Sequence, residues 1–184
     1  MGAVDLYWLP LGAGGRFVRR NGLVYEALVA RVEHRPPLAL YHAALMVTVD
    51  GKRCAVEMTP TFGASSDGAV AVAVGPVGAR FAGRWRLFRY VVRCAASIPD
   101  VGWAVESPRA LSASDAVARS VLALAPRVPT PVWGRDELHA GEMWNSNSLI
   151  AWVLERAGLD AGAIAPPAGG RAPGWRAGVA VARR

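Results

Sequence analysis

Apolar and polar residues alternate through the first half of this chain and recur at helical spacing through the second. The run "VDLYWLPLG" reads as a strand closed by Pro and Gly. In "GGRFVRRNGLVYEALVAR", Val24, Leu28 and Arg31 follow a helical period. Four strands are predicted next. "LALYHAALMVTV" and "KRCAVEMT" flank Asp50-Gly51, a dipeptide suited to a two-residue type I′ turn because both central residues need positive φ. "GAVAVAVG" follows a Ser/Gly/Asp loop, and "RWRLFRYVVRC" completes the set. Beyond it, "SASD", Ser112 to Asp115, has capping-box spacing ahead of Val117, Val121 and Leu124. Three prolines in "APRVPTPVWG" break that helix, and another starts near Asn145 with Leu149, Trp152 and Val153 on one face and Gly158 placed to close it. The Pro/Gly-rich tail ends in a predicted strand from Ala177 to Ala182. No repeat or linker divides the pattern, so residues 1–184 read as one domain.

The hairpin makes a register prediction. With Asp50 and Gly51 as the turn, His42 faces Thr59 and Ala44 faces Glu57. His42 and Glu57 then lie diagonally on one sheet face, about 7 Å apart at Cα. A carboxylate there orients an imidazole.

Composition changes this picture little. The chain has 184 residues, 53% of them apolar, which suffices for a sizeable core. The start, "MGAVDLYWLP", lacks the basic and apolar regions of a signal peptide, Leu6 breaks the myristoylation pattern, and no run is long enough to span a membrane; the expected location is the cytoplasm. Lysine occurs once, at Lys52, so the net charge of +7 is almost wholly arginine and reflects an Arg- and Ala-rich usage. The densest basic group, "RWRLFRYVVR", reads as a strand with Arg on both faces; a charge-guarded sheet edge is favoured over a nucleic-acid groove because no nucleic-acid motif accompanies it. Cys54 and Cys94 lack Cys-x-x-Cys spacing and read as buried free thiols in a reducing compartment. No metal cluster, P-loop or dinucleotide fingerprint is visible, so neither a metal nor a cofactor is expected.

Candidate chemistry centres on "WNSNSLIAWVL". Asn145 and Ser146 suit a helix N-cap. The same place suits a nucleophile, because free N–H groups and the positive end of the helix dipole favour the anion formed in acyl transfer. Of the three histidines, His42 sits on the predicted hairpin, His34 is unassigned, and His139 is a competing base on a glycine-containing loop.

The order of these segments resembles the circularly permuted papain-like hydrolases, which include PPPDE-type peptidases, lecithin-retinol acyltransferase-like enzymes and permuted NlpC-type proteins. "VDLYWLPLGAG" looks like their first strand, "LYHAALMVTVDGKRCAVE" like their histidine strand and hairpin, and "WNSNSLIAWVL" like their nucleophile helix. The resemblance implies an α+β permuted papain-like fold, an antiparallel sheet packed against a helix with the nucleophile at its N-terminus. It places His42 at the base and Ser146 where the family has cysteine. Asn145 and Asn147 match the flanking asparagines, Ser148 the threonine and Leu149 the aromatic, with Glu57 near the third polar residue. Serine for cysteine is a departure, because a hydroxyl stays un-ionised until a base removes its proton during attack.

The implied function is hydrolysis or transfer at an ester, thioester or amide by Ser146, His42 and Glu57. The Ser146 N–H binds the oxyanion, and Asn145, Asn147 and Trp144 are assigned to substrate or oxyanion binding. Trp133, Trp144, Trp152 and Trp175 are candidate walls of an acyl pocket. The expected partner is a small-molecule or peptide acyl substrate; no membrane span is expected, nucleic acid is disfavoured, and no oligomeric state is implied. The alternative is an inactive papain-like binding module using the same cleft.

Overall fold

The computed structural model describes residues 1–12, 16–61 and 69–184, with the backbone alone for 16–21. The predicted Ser/Gly/Asp loop falls largely on residues 62–68 and lies outside them. The strands are β1 (Ala3–Pro10), β2 (Ala39–Val49), β3 (Lys52–Pro60), β4 (Val70–Pro76), β5 (Arg89–Ala95), β6 (Val105–Ser112) and the short β7 (Gly170–Arg171). The helices are α1 (Arg16–Val32), α2 (Asp115–Leu124), α3 (Ser146–Arg156) and α4 (Trp175–Ala182). The fold is α+β, with a mostly antiparallel sheet in the order β4-β5-β3-β2-β1-β6 and β7 parallel to β2.

Strand alternation sends Val4, Leu6 and Trp8 of β1 and Ala43, Leu45 and Val47 of β2 to one face, where they join Val121 of α2, Leu149, Ile150 and Val153 of α3 and Trp175 and Val179 of α4 in the main core. Tyr7, Leu9, Ala44, Met46 and Ala55 point the other way and form a smaller cluster with Ala95 and Ile98. The central strands are therefore buried on both faces.

The hairpin follows its turn chemistry. Asp50 and Gly51 both have positive φ, at 51° and 74°, and Leu45↔Val56 through Val49↔Lys52 pair in the expected register. Pairing with β2 stops there. From Ala55 onward β3 pairs with β5, so Thr59 faces Val91 and Glu57 faces Arg93, and the expected facing of His42 with Thr59 and of Ala44 with Glu57 is not made.

Four other expectations are corrected. Residues 80–88 form two 3-10 turns and β5 begins only at Arg89, because Arg89 donates to the Gly83 and Arg84 carbonyls and curls the segment back. Ala177–Ala182 belongs to a helix, since burying Ala177, Gly178, Val179 and Ala182 against α3 overrides the strand propensity of its valines. Gly178 permits that contact: a Cβ there would collide with the Ser148 carbonyl. The cap of α2 is Ser114, accepting from the Val117 N–H, with Ser112 on the preceding strand. That strand, β6, carries Pro108 and escaped the sequence reading; it is an edge strand, where a missing N–H costs no ladder bond.

Helix α1 exists as expected, but Val24 and Leu28 face solvent while Gly22, Glu26 and Ala30 are buried. A polar anchor holds it. The Glu26 carboxylate accepts from Arg35 and from the Leu38 N–H. Cys54 and Cys94 are free, half-buried thiols on adjacent strands. No helix among the described residues is long and apolar enough to cross a membrane.

Candidate functional site

The start of α3 is built by the side chains of "NSNS". Asn145 is the N-cap: its Oδ1 accepts from the Asn147 and Ser148 N–H groups, and Ser148 Oγ accepts from the Asn145 N–H, which completes a capping box. Further bonds fasten this turn to the segment entering α4. Asn145 Nδ2 and Asn147 Nδ2 donate to the Pro173 carbonyl, both at 2.9 Å, and Ser148 Oγ donates to the Gly174 carbonyl at 2.7 Å.

Asn147 also reaches the sheet. Where β3 leaves β2, the Tyr41 carbonyl and the Ala43 N–H lose their ladder partners, and the Asn147 carboxamide replaces them. It accepts from Ala43 at 2.8 Å and donates to Tyr41 at 3.0 Å. These are the two chain neighbours of His42. The helix start that carries Ser146 is thereby tied to the strand segment that carries His42.

Ser146 differs from its three companions. It is buried, yet its hydroxyl makes no hydrogen bond to any described residue. Its N–H occupies the first helical position, where no intrahelical acceptor exists. Since Asn145 takes the next two N–H groups, the Ser146 N–H is the donor left for an incoming anion.

Alternation along β2 puts His42 with Ala44 and Met46, on the sheet face opposite Tyr41, Ala43 and the body of α3. Burial pushes its imidazole down to about 4, against the upward pull of the Asp100 carboxylate. No hydrogen bond joins His42 to Ser146 or to Glu57 among the described residues. Glu57 is engaged elsewhere: its Oε1 accepts from Arg93 Nε at 2.8 Å in a buried ion pair. Burial raises the Glu57 carboxyl and Asp100 adds to that rise, while Arg93 opposes it. The carboxylate whose charge reaches His42 is thus Asp100, not Glu57. Asp100 sits at φ 58° ahead of the 3-10 turn Val101–Trp103. Sequence reasoning missed it, because only the folding of residues 96–104 over the second sheet face brings it near.

Asn145, Asn147 and Trp144, the candidates for substrate or oxyanion binding, make structural contacts. The two carboxamides are consumed in holding the helix start, and Trp144, 1% exposed, is a core residue. Trp152 and Trp175 are also core, Trp175 packing on Trp8 with ring centroids 5.0 Å apart. Trp133 meets Tyr90 edge-on at 5.5 Å. Trp144, Trp152 and Trp175 thus belong to the core, Trp133 is half-buried against Tyr90, and Trp175 also lines the cleft along α4.

His34 and His139 are exposed, each with a positive φ in a loop. A cleft of about 730 Å³ lies between α1, Glu142–Met143 and Pro173–Gly174, and another of about 680 Å³ lies along α4; neither is lined by His42 or Ser146. No cluster of metal-ligating side chains occurs among the described residues. Comparison with protein-family models, curated proteins and solved structures finds no match.

Proposed function

We propose that this chain is a serine-dependent hydrolase or acyltransferase on a permuted papain-like frame, acting at an ester, thioester or amide. The observation that carries the reading is the selective freedom of Ser146. Of four consecutive polar side chains, three are spent on the helix start, and the fourth is an unbonded hydroxyl beside the residue that clamps both neighbours of His42. The order of first strand, histidine strand, hairpin and capped helix supports the frame.

In the proposed reaction Ser146 Oγ attacks the acyl carbonyl carbon, and its proton passes to His42 through a bridging water or after side-chain rotation. The developing oxyanion is bound by the Ser146 N–H. Collapse breaks the bond to the leaving group, which departs with the proton from His42. Water, or an acceptor nucleophile, then cleaves the acyl-serine ester by the same route in reverse. Burial keeps His42 neutral throughout the neutral range, so its ring is unprotonated before attack, and Asp100 offsets part of the burial that disfavours the imidazolium.

A second reading, an inactive binding module on the same frame, is favoured by the engagement of Glu57 with Arg93 and by the missing His42–Ser146 bond. A fluorophosphonate probe separates the two. An enzyme gives a covalent adduct that Ser146→Ala and His42→Ala abolish and Asp100→Asn weakens. In Ser146→Cys the new thiol should alkylate faster than Cys54 or Cys94, because the helix N-terminus lowers its pKa. No adduct together with an inert thiol would leave Ser146 as the first residue of α3 with no chemical role and favour the binding module.

A further inference from the structure

The two 3-10 turns of residues 80–88 expose an unusual set of side chains. Phe81 is 72% exposed, Leu87 61%, Trp85 48% and Phe88 43%, and Arg80, Arg84, Arg86 and Arg89 are interleaved with them. Single exposed apolar residues are ordinary on a protein surface, but four large ones within eight positions form a patch that calls for a partner. The patch is held in shape: Arg89 ties the Gly83 and Arg84 carbonyls, Ala82 is buried, and the Phe88 carbonyl accepts from the Val77 N–H. The Arg84 guanidinium lies 4.1 Å from the Trp85 ring centroid. Arg80 pairs with Glu137, whereas Arg84 and Arg86 are exposed with no carboxylate in ion-pair reach among the described residues.

From this arrangement we infer that the Arg80–Phe88 turn is a docking surface for an anionic phospholipid bilayer, with Phe81, Trp85, Leu87 and Phe88 entering the interface and Arg84 and Arg86 meeting lipid phosphates. Aromatic rings favour the headgroup region, and each arginine near an anionic leaflet strengthens attachment. The chemistry suits a bilayer better than a single-stranded nucleic acid. Base stacking needs free ring faces along a groove. Here Arg84 covers the Trp85 ring, Phe88 packs on Trp85 with the two ring planes 68° apart, Leu87 has no ring, and neither cleft includes any residue of this turn. The inference is independent of catalysis by Ser146.

Vesicle sedimentation tests it, using phosphatidylcholine alone and phosphatidylcholine with about 30% phosphatidylserine as probes. The full chain should sediment with the anionic vesicles and remain in solution with the neutral ones. Arg84→Ala/Arg86→Ala should weaken binding roughly thirtyfold, and Phe81→Ser/Leu87→Ser should also weaken it severely, with circular dichroism confirming that both variants are folded. Brominated lipid should quench part of the tryptophan fluorescence, and Trp85→Phe should remove that quenching while binding persists. Absence of vesicle binding by the unaltered chain would overturn the inference. So would equal binding to neutral vesicles, retention of full affinity by both double variants, or stronger capture of a single-stranded RNA oligonucleotide through the same residues.

Discussion

Asn147 accepts a 2.8 Å hydrogen bond from the Ala43 N–H, across 104 positions of sequence. With its partner bond to the Tyr41 carbonyl, this contact substitutes for the ladder that β2 loses where its pairing with β3 ends at Leu45↔Val56. Asn147→Ala strands a buried donor and a buried acceptor, so unfolding in urea should show a loss of about 2–4 kcal/mol. Asn147→Asp should not rescue it, because a carboxylate restores the acceptor for Ala43 but meets the Tyr41 and Pro173 carbonyls without a proton to donate. Near-native stability of either variant would mean that the bonds are dispensable.

The buried pair of Glu57 and Arg93 gives a second test. Removing Arg93 leaves the buried Glu57 carboxylate without its cation, and Arg93→Met alone should cost about 3–5 kcal/mol in chemical denaturation. The double variant Glu57→Leu/Arg93→Met should recover part of that loss, since an apolar pair of similar size avoids the desolvation cost of the carboxylate. Additive losses in the double variant would contradict this account.

His42 makes stability depend on pH. Its folded pKa, near 4, lies below the ordinary value of 6.5, so the unfolded chain binds a proton through that window that the folded protein does not. Its contribution is fully present above pH 6.5 and is lost as pH falls toward 4. The full size is on the order of 3 kcal/mol. Comparing the unaltered chain with His42→Asn at pH 7 and pH 4.5 isolates this contribution from that of the carboxylates: the gap between the two proteins should change over this interval. A constant gap would show that the imidazole is not held neutral.

Gly178 tests the seat of α4. In Gly178→Ala the added methyl meets the Ser148 carbonyl in the first turn of α3 and forces the helices apart. The expected loss is about 1–3 kcal/mol, as for other overpacked contacts. If Ser146 is catalytic, labelling by the phosphonate should fall in this variant too, because the helix start shifts. Unchanged melting and labelling would indicate a looser contact between the helices.

What the sequence determined by itself was local in its physics. Asp50-Gly51 dictates its turn because so few residues tolerate two successive positive φ angles, and the Asn145–Ser148 run sets the start of α3 because a cap side chain reaches only the N–H groups just beyond it. Gly158, at φ 86°, closes the same helix for the same kind of reason. The tertiary structure alone decided matters that depend on distant neighbours. β3 lies between β2 and β5: the register with β5 set Glu57 opposite Arg93, and the end of β2 pairing at Val56 left His42 and Glu57 apart. The alanines and valines after Ala177 became helical because a flat, glycine-bearing surface was needed against α3. Asp100 came near His42 through a loop whose path no short pattern records. The unbonded hydroxyl of Ser146 is a tertiary outcome as well, since four adjacent cap-forming residues are equivalent until Pro173, Gly174, Tyr41 and Ala43 claim the other three.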